Sequence, residues 1–559
     1  MRGIFAALCA FGMTLPAAAA TPAYFSACDG YGAPNKNGDG MLKPANALFG
    51  LFIPSPGYGD TRQRPSALGE AGIAACDQAL ADPRLLPIYW MRRVSLLRAR
   101  AIHDLNRGRT DDALADLKHA MDAAQAPADP YYRRSLGLGI ELVRAAVLEK
   151  AGKTEEAAQL ASEVGAERPY DAEIARAALA INYRASGDRK ALAENLRKLA
   201  KLDPTSLPGL IEQEMALDQF DEAIRLRRMV VLQVVKPDGG WQTDTAAIDA
   251  QNVVKGAHLD GQIAYALAAT HRADAARKAL VAARAAVDAG CPPVDPSPGR
   301  ARLSRQQREL EIRRGDTKDS ATRVLDEWTK YVELRILVDT DPNSERLHDF
   351  VAATRIASAT TTDIMRAIAH STAPDQAIAA LNLPAMQAVL DKEHEKIVFS
   401  PELLVRLLPE TETAARVGRY AAGSKSFWSL NTNGFYVKPA SIAGATTVEY
   451  DDVQSSAAMV EEMALLRAAD LARQAGKKGM ILLDRRRYER TLTVSTMYGA
   501  IQNSRPTGYT AEYDVLFVDP AKLPADHADE AWRVIDTDAV YASLASIYTA
   551  PPVAKTAAH

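Results

Sequence analysis

The residue types able to do chemistry are scattered, and their spacings decide what each can do. Asn35, Asn37, Asp39 and Gly40 fill the first, third, fifth and sixth places of a calcium-loop pattern. Asn46 stands where a bidentate glutamate is required, so the stretch also reads as a plain Asn-Gly, Asp-Gly turn. Asp339, Asp341 and Asn343 alternate in the same way, but Ser344 and Phe350 replace the needed Gly and Glu, and Pro342 suits a helix-to-helix turn. His394 lies among Asp391, Glu393 and Glu395. Adjacent helix positions point in different directions and cannot grip one ion together, which makes this a solvated acidic face. Arg485, Arg486, Arg487 and Arg490 form a basic run between two expected strands. Such a run suits an anionic ligand or acidic lipid head groups, or a charged hairpin tip that keeps sheet edges soluble. Asp484, Asp514 and Asp519 fall at expected strand ends, where a small-ligand site could form. Trp241, in a glycine-containing insertion, is either an anchor for a partner or a ring buried over the helices.

The common catalytic fingerprints are missing: G-x-S-x-G, H-E-x-x-H, the phosphate-binding loop and the dinucleotide loop do not occur. No catalytic, cofactor or metal residue is assigned, and the reading leans away from an enzyme. Without a C-x-x-C, neither a zinc ribbon nor a thioredoxin-type redox site is indicated. The formal charge of −3 gives no basic face of the kind a nucleic-acid protein needs.

Residues 1–20 read as a secretory signal peptide. Arg2 precedes an apolar run from Gly3 to Leu15, and Ala18-Ala19-Ala20 offers small side chains for cleavage. That run is too short to span a bilayer, and no transmembrane segment is expected after cleavage. Export favours an oxidising compartment, so Cys28 and Cys76 are expected to pair and staple the N-terminal arm to the first helix, leaving Cys291 free. The periplasm is the first expectation for location and secretion the second.

The elements follow from pattern. Residues 21–65, rich in Gly, Pro and Asn, predict an arm with little regular structure. Residues 66–290 show apolar spacings of three and four, as one-sided helices require. Residues 291–299 are a proline-rich linker, and 300–423 return to helical pattern, including Ala301–Arg314, Ser320–Ile336, Pro374–Leu390 and Pro401–Ala421. Residues 424–550 read as a small α+β domain. Its strands are expected at Phe427–Leu430, Phe435–Val437, Thr447–Tyr450, Gly479–Leu483, Leu492–Tyr498 and Tyr513–Val518, and its helices at Ser455–Gln474 and Thr537–Tyr548. Residues 551–559 are a tail.

The stretch 66–290 resembles the tetratricopeptide family. In one unit Leu179-Ala180 and Tyr183 match the family's first-helix group, Gly187 makes the turn, Leu192, Leu196 and Leu199 line the second helix, and Pro204 closes it. Ala145, Leu148, Gly152, Ala157, Ala161 and Pro169 match the unit before it. Gly108 with Ala113, Asp218 with Ala223, and His271 with Ala276 keep the turn-to-helix spacing in three looser units, the last preceded by an insertion at about 236–256. The resemblance implies a mainly α fold: an α-solenoid, then a helical region, then the α+β domain. The Ala469-Asp-Leu-Ala472 and Gly476-x-x-Gly-Met-Ile-Leu-Leu-Asp484 stretches make that last domain similar to those of some bacterial envelope lipoproteins. Tetratricopeptide proteins assemble other proteins and carry no catalysis of their own. The expected partner is therefore a protein or peptide. Groove-facing first-helix residues Glu141, Arg144, Arg176 and Asn182 are its plausible contacts, with Trp241 beside them. The alternative is an enzyme or small-ligand site in the C-terminal domain.

Overall fold

The computed structural model describes residues 23–35, 38–41, 67–232, 245–294, 296, 302–353, 359–371, 408–423, 433–495 and 501–549. The chain is mostly helical, with a small antiparallel five-stranded sheet late in the sequence. It divides into two compact units, 1–125 and 126–559.

The first unit holds α1 (Ala23–Asp29), α2 (Glu70–Ala81), α3 (Trp90–Asn106) and α4 (Thr110–Asp122). The described part of the arm, 23–35 and 38–41, thus holds a helix that its Gly, Pro and Asn content does not predict. Side chains from α1 explain this correction. Cys28 is disulfide-bonded to Cys76 of α2, and both are fully buried. Asp29 pairs with the buried Arg92 of α3 and accepts from Ser95 Oγ at 2.9 Å. The Arg92 guanidinium lies over the rings of Phe25 and Tyr31, at 5.3 and 5.6 Å. His103 of α3 sits 2.8 Å from the Cys28 carbonyl, and burial pushes its imidazole toward the neutral form. A side chain on residue 72 would strike that ring, which is why α2 carries Gly72 there.

The second unit begins with α5 (Pro130–Tyr132) and a single π turn, Arg133–Gly137. It continues through α6 (Leu138–Lys150), α7 (Thr154–Glu167), α8 (Ala172–Ser186), α9 (Arg189–Leu202), α10 (Leu207–Ala216), α11 (Phe220–Arg227), α12 (Thr245–Ala269) and α13 (Ala273–Gly290). From α6 to α13 each helix packs against the next. Then come α14 (Arg305–Thr340), α15 (Glu345–Ala353) and α16 (Ala359–Ser371). The two helices expected at 301–314 and 320–336 are one: Gly315 interrupts the apolar pattern, yet a lone glycine costs only about 1 kcal/mol in a helix. A capping box between Ser304 and Gln307 starts it. The helix expected at 374–390 lies outside the described residues. Of 401–421, residues 408–421 are described, and they hold only one short 3-10 turn, Ala414–Arg416.

One turn recurs along the helices. Gly108, Gly152, Gly187, Asp218 and His271 all adopt left-handed backbone, with φ of 75, 80, 63, 60 and 61°. At four of them the next residue's N–H bonds back across the helix end: Arg109 to Asp104, Lys153 to Leu148, Gln219 to Glu214 and Arg272 to Leu267, all within 2.8–2.9 Å. After three of these turns the next helix opens on a residue with similar dihedrals, Arg109, Lys153 and Gln219 at φ −85, −89 and −88°, whereas Asp188, after Gly187, is extended. Five residues beyond the turn comes Ala113, Ala157, Ala223 or Ala276, each fully buried. These side chains are small where one helix meets the preceding one.

The sheet contains β1 (Gly434–Pro439), β2 (Thr446–Asp452), β3 (Gly479–Ser495), β4 (Ile501–Val518) and β5 (Ile535–Asp536), in the order β1-β2-β4-β3-β5, all antiparallel. Helices α17 (Ala457–Gln474) and α18 (Thr537–Tyr548) complete the domain; α17 packs on β2, β3 and β4, and α18 on α17. Met459, Met463, Leu466, Val540, Leu544 and Tyr548 meet Val448, Tyr450, Met480, Leu482, Tyr513 and Val515 in its core. The strand expected at 427–430 lies outside the described residues. The expected strand 479–483 and the described part, 492–495, of the one expected at 492–498 merge into the single β3, so the arginine run is mid-strand and not a hairpin tip; 496–498 lie outside the described residues. Strand alternation absorbs the charges that looked like a break in the pattern.

Replacing both Cys28 and Cys76 with alanine frees a loop whose ends lie 48 residues apart. Closing a loop of that size favours the folded state by roughly 2–4 kcal/mol, so the double variant loses that much stability in urea titration of the oxidised protein. Reductant should then lower the stability of the wild type and leave the variant unmoved.

Candidate functional site

Two glutamates side by side on α17 connect the helices of the second unit to its sheet. The Ser456 hydroxyl caps α17 by accepting from Met459 N at 3.1 Å, and the first turns that follow carry Glu461 and Glu462. Both are buried. Buried carboxylates need charge and hydrogen-bond partners, and each glutamate finds its own set.

Glu462 meets two guanidiniums. Arg134 Nη2 lies 2.6 Å from Oε1; Arg168 Nε and Nη2 reach the two oxygens at 2.9 Å each, a bidentate fork. The Tyr548 hydroxyl of α18 donates to Oε2. Arg168, with no exposed side chain, also reaches Glu412 at 3.1 Å and Asp171 at 3.2 Å and donates to the Arg134 carbonyl at 2.8 Å. The π turn holds Arg134 beside Ser135, whose hydroxyl accepts from Glu412 N at 3.0 Å. Ser456 donates to Glu412 Oε1 at 2.6 Å. Burial pushes Glu462 up, but Arg168 and Arg134 outweigh it and hold the carboxyl at about 2. Burial wins at Glu412 and Asp171, which are raised despite Arg168.

Glu461 meets the arginine run. Arg485 Nη2 approaches its two oxygens at 2.7 and 2.8 Å, and the same guanidinium lies 3.3 Å from Asp203 and 3.4 Å from Glu173. Arg487 sits 3.6 Å from Glu173 and Glu461. Arg486 points to the other sheet face, 3.0 Å from Glu512, 3.1 Å from Asp514 and 3.4 Å from Asp484. Thr447 Oγ1 donates to Asp514, and Lys438 lies within 3.6–3.7 Å of Glu512 and Glu449. A bulge at Leu483 brings Asp484 to that face, where burial raises it to about 6 against the pull of Arg486.

Arg485, Arg486 and Arg487 are therefore committed to carboxylates, and Asp484 and Asp514 share Arg486 while Asp519 makes a separate turn with Lys522. Arg176 pairs with Asp203 and with Glu173 at 2.9 Å, which ties it to the Arg485 cluster. Glu141 and Arg144 pair with each other at 2.7 Å, and Asn182 donates to Ser162 at 3.3 Å. Asp39 accepts from Met41 N at 2.9 Å in a local turn, while Asn37 and Asn46 lie outside the described residues. So do Trp241 and His394. Asp339 faces His271 at 2.7 Å and Arg335 at 3.2 Å. With Asp218, Asp363 and Arg366 it lines a polar cleft of about 360 Å³. Sequence reasoning missed Arg134, Arg168, Glu412, Glu461 and Glu462. A signal did exist for the last two: two adjacent acids inside Met459-Val460…Met463-Ala464-Leu465-Leu466 cannot both face water on a helix so apolar.

Arg168→Met leaves three buried carboxylates short of a cation, and urea unfolding should show a loss of about 3–5 kcal/mol. Adding Glu462→Met should recover part of that, and a cycle in which the two losses simply add would deny the coupling. Asp484 titrates at about 6 in the folded chain against 3.8 unfolded. The folded state then binds the extra proton between those values, so the carboxylate costs stability above about pH 6 and that cost fades as pH falls toward 4. Asp484→Asn should be more stable than wild type at neutral pH, with the gap closing across that window.

No family model matches the chain, and no curated protein is significantly similar to it.

Proposed function

We propose that the chain is an exported scaffold whose tetratricopeptide-like helix pairs bind a protein or peptide partner. The observation that carries this reading is the recurrence of one left-handed turn at Gly108, Gly152, Gly187, Asp218 and His271, four times followed by a buried alanine five residues on. Those are the positions at which the sequence resembles the family. Helix pairs closed by one repeated turn and nested through small residues stack on their neighbours and leave a continuous face for a ligand. An extended segment or an amphipathic helix suits such a face.

The clusters on α17 support the same reading from the other side. Their most perturbed acids already meet guanidiniums, which fits a role in holding the domain to the helices better than a role in turnover. Export is supported by the Cys28–Cys76 bridge together with the apolar N-terminal run. We place the protein in the periplasm or beyond.

Affinity recovery of the tagged full chain from its native envelope extract tests this. A stoichiometric protein partner is expected, and a triple variant Glu141→Ala, Arg144→Ala, Asn182→Ala should lower its recovery about tenfold, or roughly 1.4 kcal/mol, with unchanged thermal stability. A retained small molecule and no protein would favour a ligand site in the sheet domain instead.

A further inference from the structure

The longest hairpin of the sheet outruns its neighbours. Strand β2 pairs with β4 only from Tyr509 to Val515, and β5 pairs with β3 only at Gly479 and Met480. Past Tyr509 the ribbon made of β3 through Ser495 and β4 from Ile501 to Gly508 pairs only with itself among the described residues. A two-stranded ribbon is marginal in water, because half of its backbone donors and acceptors face outward and it has no third strand to bury a face.

The two ends of β3 differ in how their outer edge is managed. Near Leu482 the Arg533 guanidinium donates to the strand carbonyl, and Pro204–Ser206 lies alongside. From Thr491 to Ser495 the sequence is Thr-Leu-Thr-Val-Ser: β-branched or apolar at four positions, with no charge and no proline. Edges that must avoid pairing carry lysine, proline or a bulge that disrupts the ladder. Here the register shifts at Arg490/Thr491 and Val494/Ser495 leave four uninterrupted pairs between them, Thr491 to Val494.

We propose that this edge of β3 pairs antiparallel with the same edge of a second copy of the chain. A second copy meets this edge without charge repulsion, and charge then selects the register. A two-fold antiparallel pair sets one residue opposite its own copy. Centred on Leu492, it places Glu489 opposite Ser495 and Arg490 opposite Val494; centred on Thr493, it places Thr491 opposite Ser495. Neither sets like charges together. Sliding inward to centre on Arg487 or Arg486 would stack arginine on arginine, so the basic run excludes those registers.

Sedimentation equilibrium of the full chain decides it. A dimer of micromolar affinity is almost fully formed at about 100 μM, so the weight-average mass should approach twice the chain mass there and fall toward one on dilution. The double variant Leu492→Lys, Thr493→Lys meets its own charge in either register and should remain monomeric at the same concentration, with wild-type circular dichroism and melting temperature. A monomeric wild type overturns the proposal. So does a dimer that persists in a variant shown to be folded. Should the variant lose its fold, Thr491→Lys with Thr493→Lys, which opposes lysines whether the pair centres on Leu492 or on Thr493, takes its place under the same criteria.

Discussion

The second unit depends on where α17 puts two buried negative charges. An isolated carboxylate in a protein interior is strongly disfavoured, and attraction to one cation seldom offsets its dehydration. Glu462 escapes that penalty because Arg134 and Arg168 both reach it, Arg168 by two bonds, and Tyr548 fills a further acceptor site. Each partner comes from a different element: the π turn, the end of α7 and α18. One side chain therefore fixes the positions of three elements that lie 328, 294 and 86 residues from it in sequence. The bonds are directional, so a slide or rotation of α17 would break several at once. An apolar contact of the same area would tolerate such a shift.

Glu461 does the same on the neighbouring side with Arg485, and there the sheet contributes the cations. The strand period of two explains how a run of three arginines is accommodated. Arg485 and Arg487 go to the α17 face, and Arg486 goes to the opposite face, where Glu512 and Asp514 await it. No arginine has to share a carboxylate cluster with all of its neighbours. Asp484 is the strained member. The bulge at Leu483 sets it on the crowded acidic face, and one guanidinium is not enough to keep it fully ionised.

Much of this was open to sequence reasoning, and the division has a physical basis. Turns depend on a few neighbouring residues, so Gly108, Gly152 and Gly187 announced left-handed backbone directly. Asp218 and His271 were legible only through their spacing to the next alanine. The helix at 457–474 and the last helix, Thr537–Tyr548, were placed within two residues because their caps and apolar faces are local. The disulfide followed from the expectation of an oxidising compartment and from the positions of Cys28 and Cys76. What stayed hidden was long-range. Nothing local marks Arg168 and Glu412 before tertiary packing brings them together, and the arginine run read as a turn because charge normally interrupts strands. Helix α1 was missed for the same reason: its order comes from Cys76 and Arg92, far along the chain.

The two turns that depart from glycine carry a further lesson. A left-handed backbone costs an ordinary residue roughly 1 kcal/mol, so a side chain there must recover something. Asp218 pairs with Arg366 of α16 at 2.8 Å, and His271 with Asp339 of α14 at 2.7 Å. Glycine could make neither bond. Gly152 and Gly187, by contrast, have open space where a side chain would go. The recurring turn thus lacks glycine where it meets α14 and α16. The local rule for closing a helix is relaxed where a charged side chain can tie the turn to the helices beyond it.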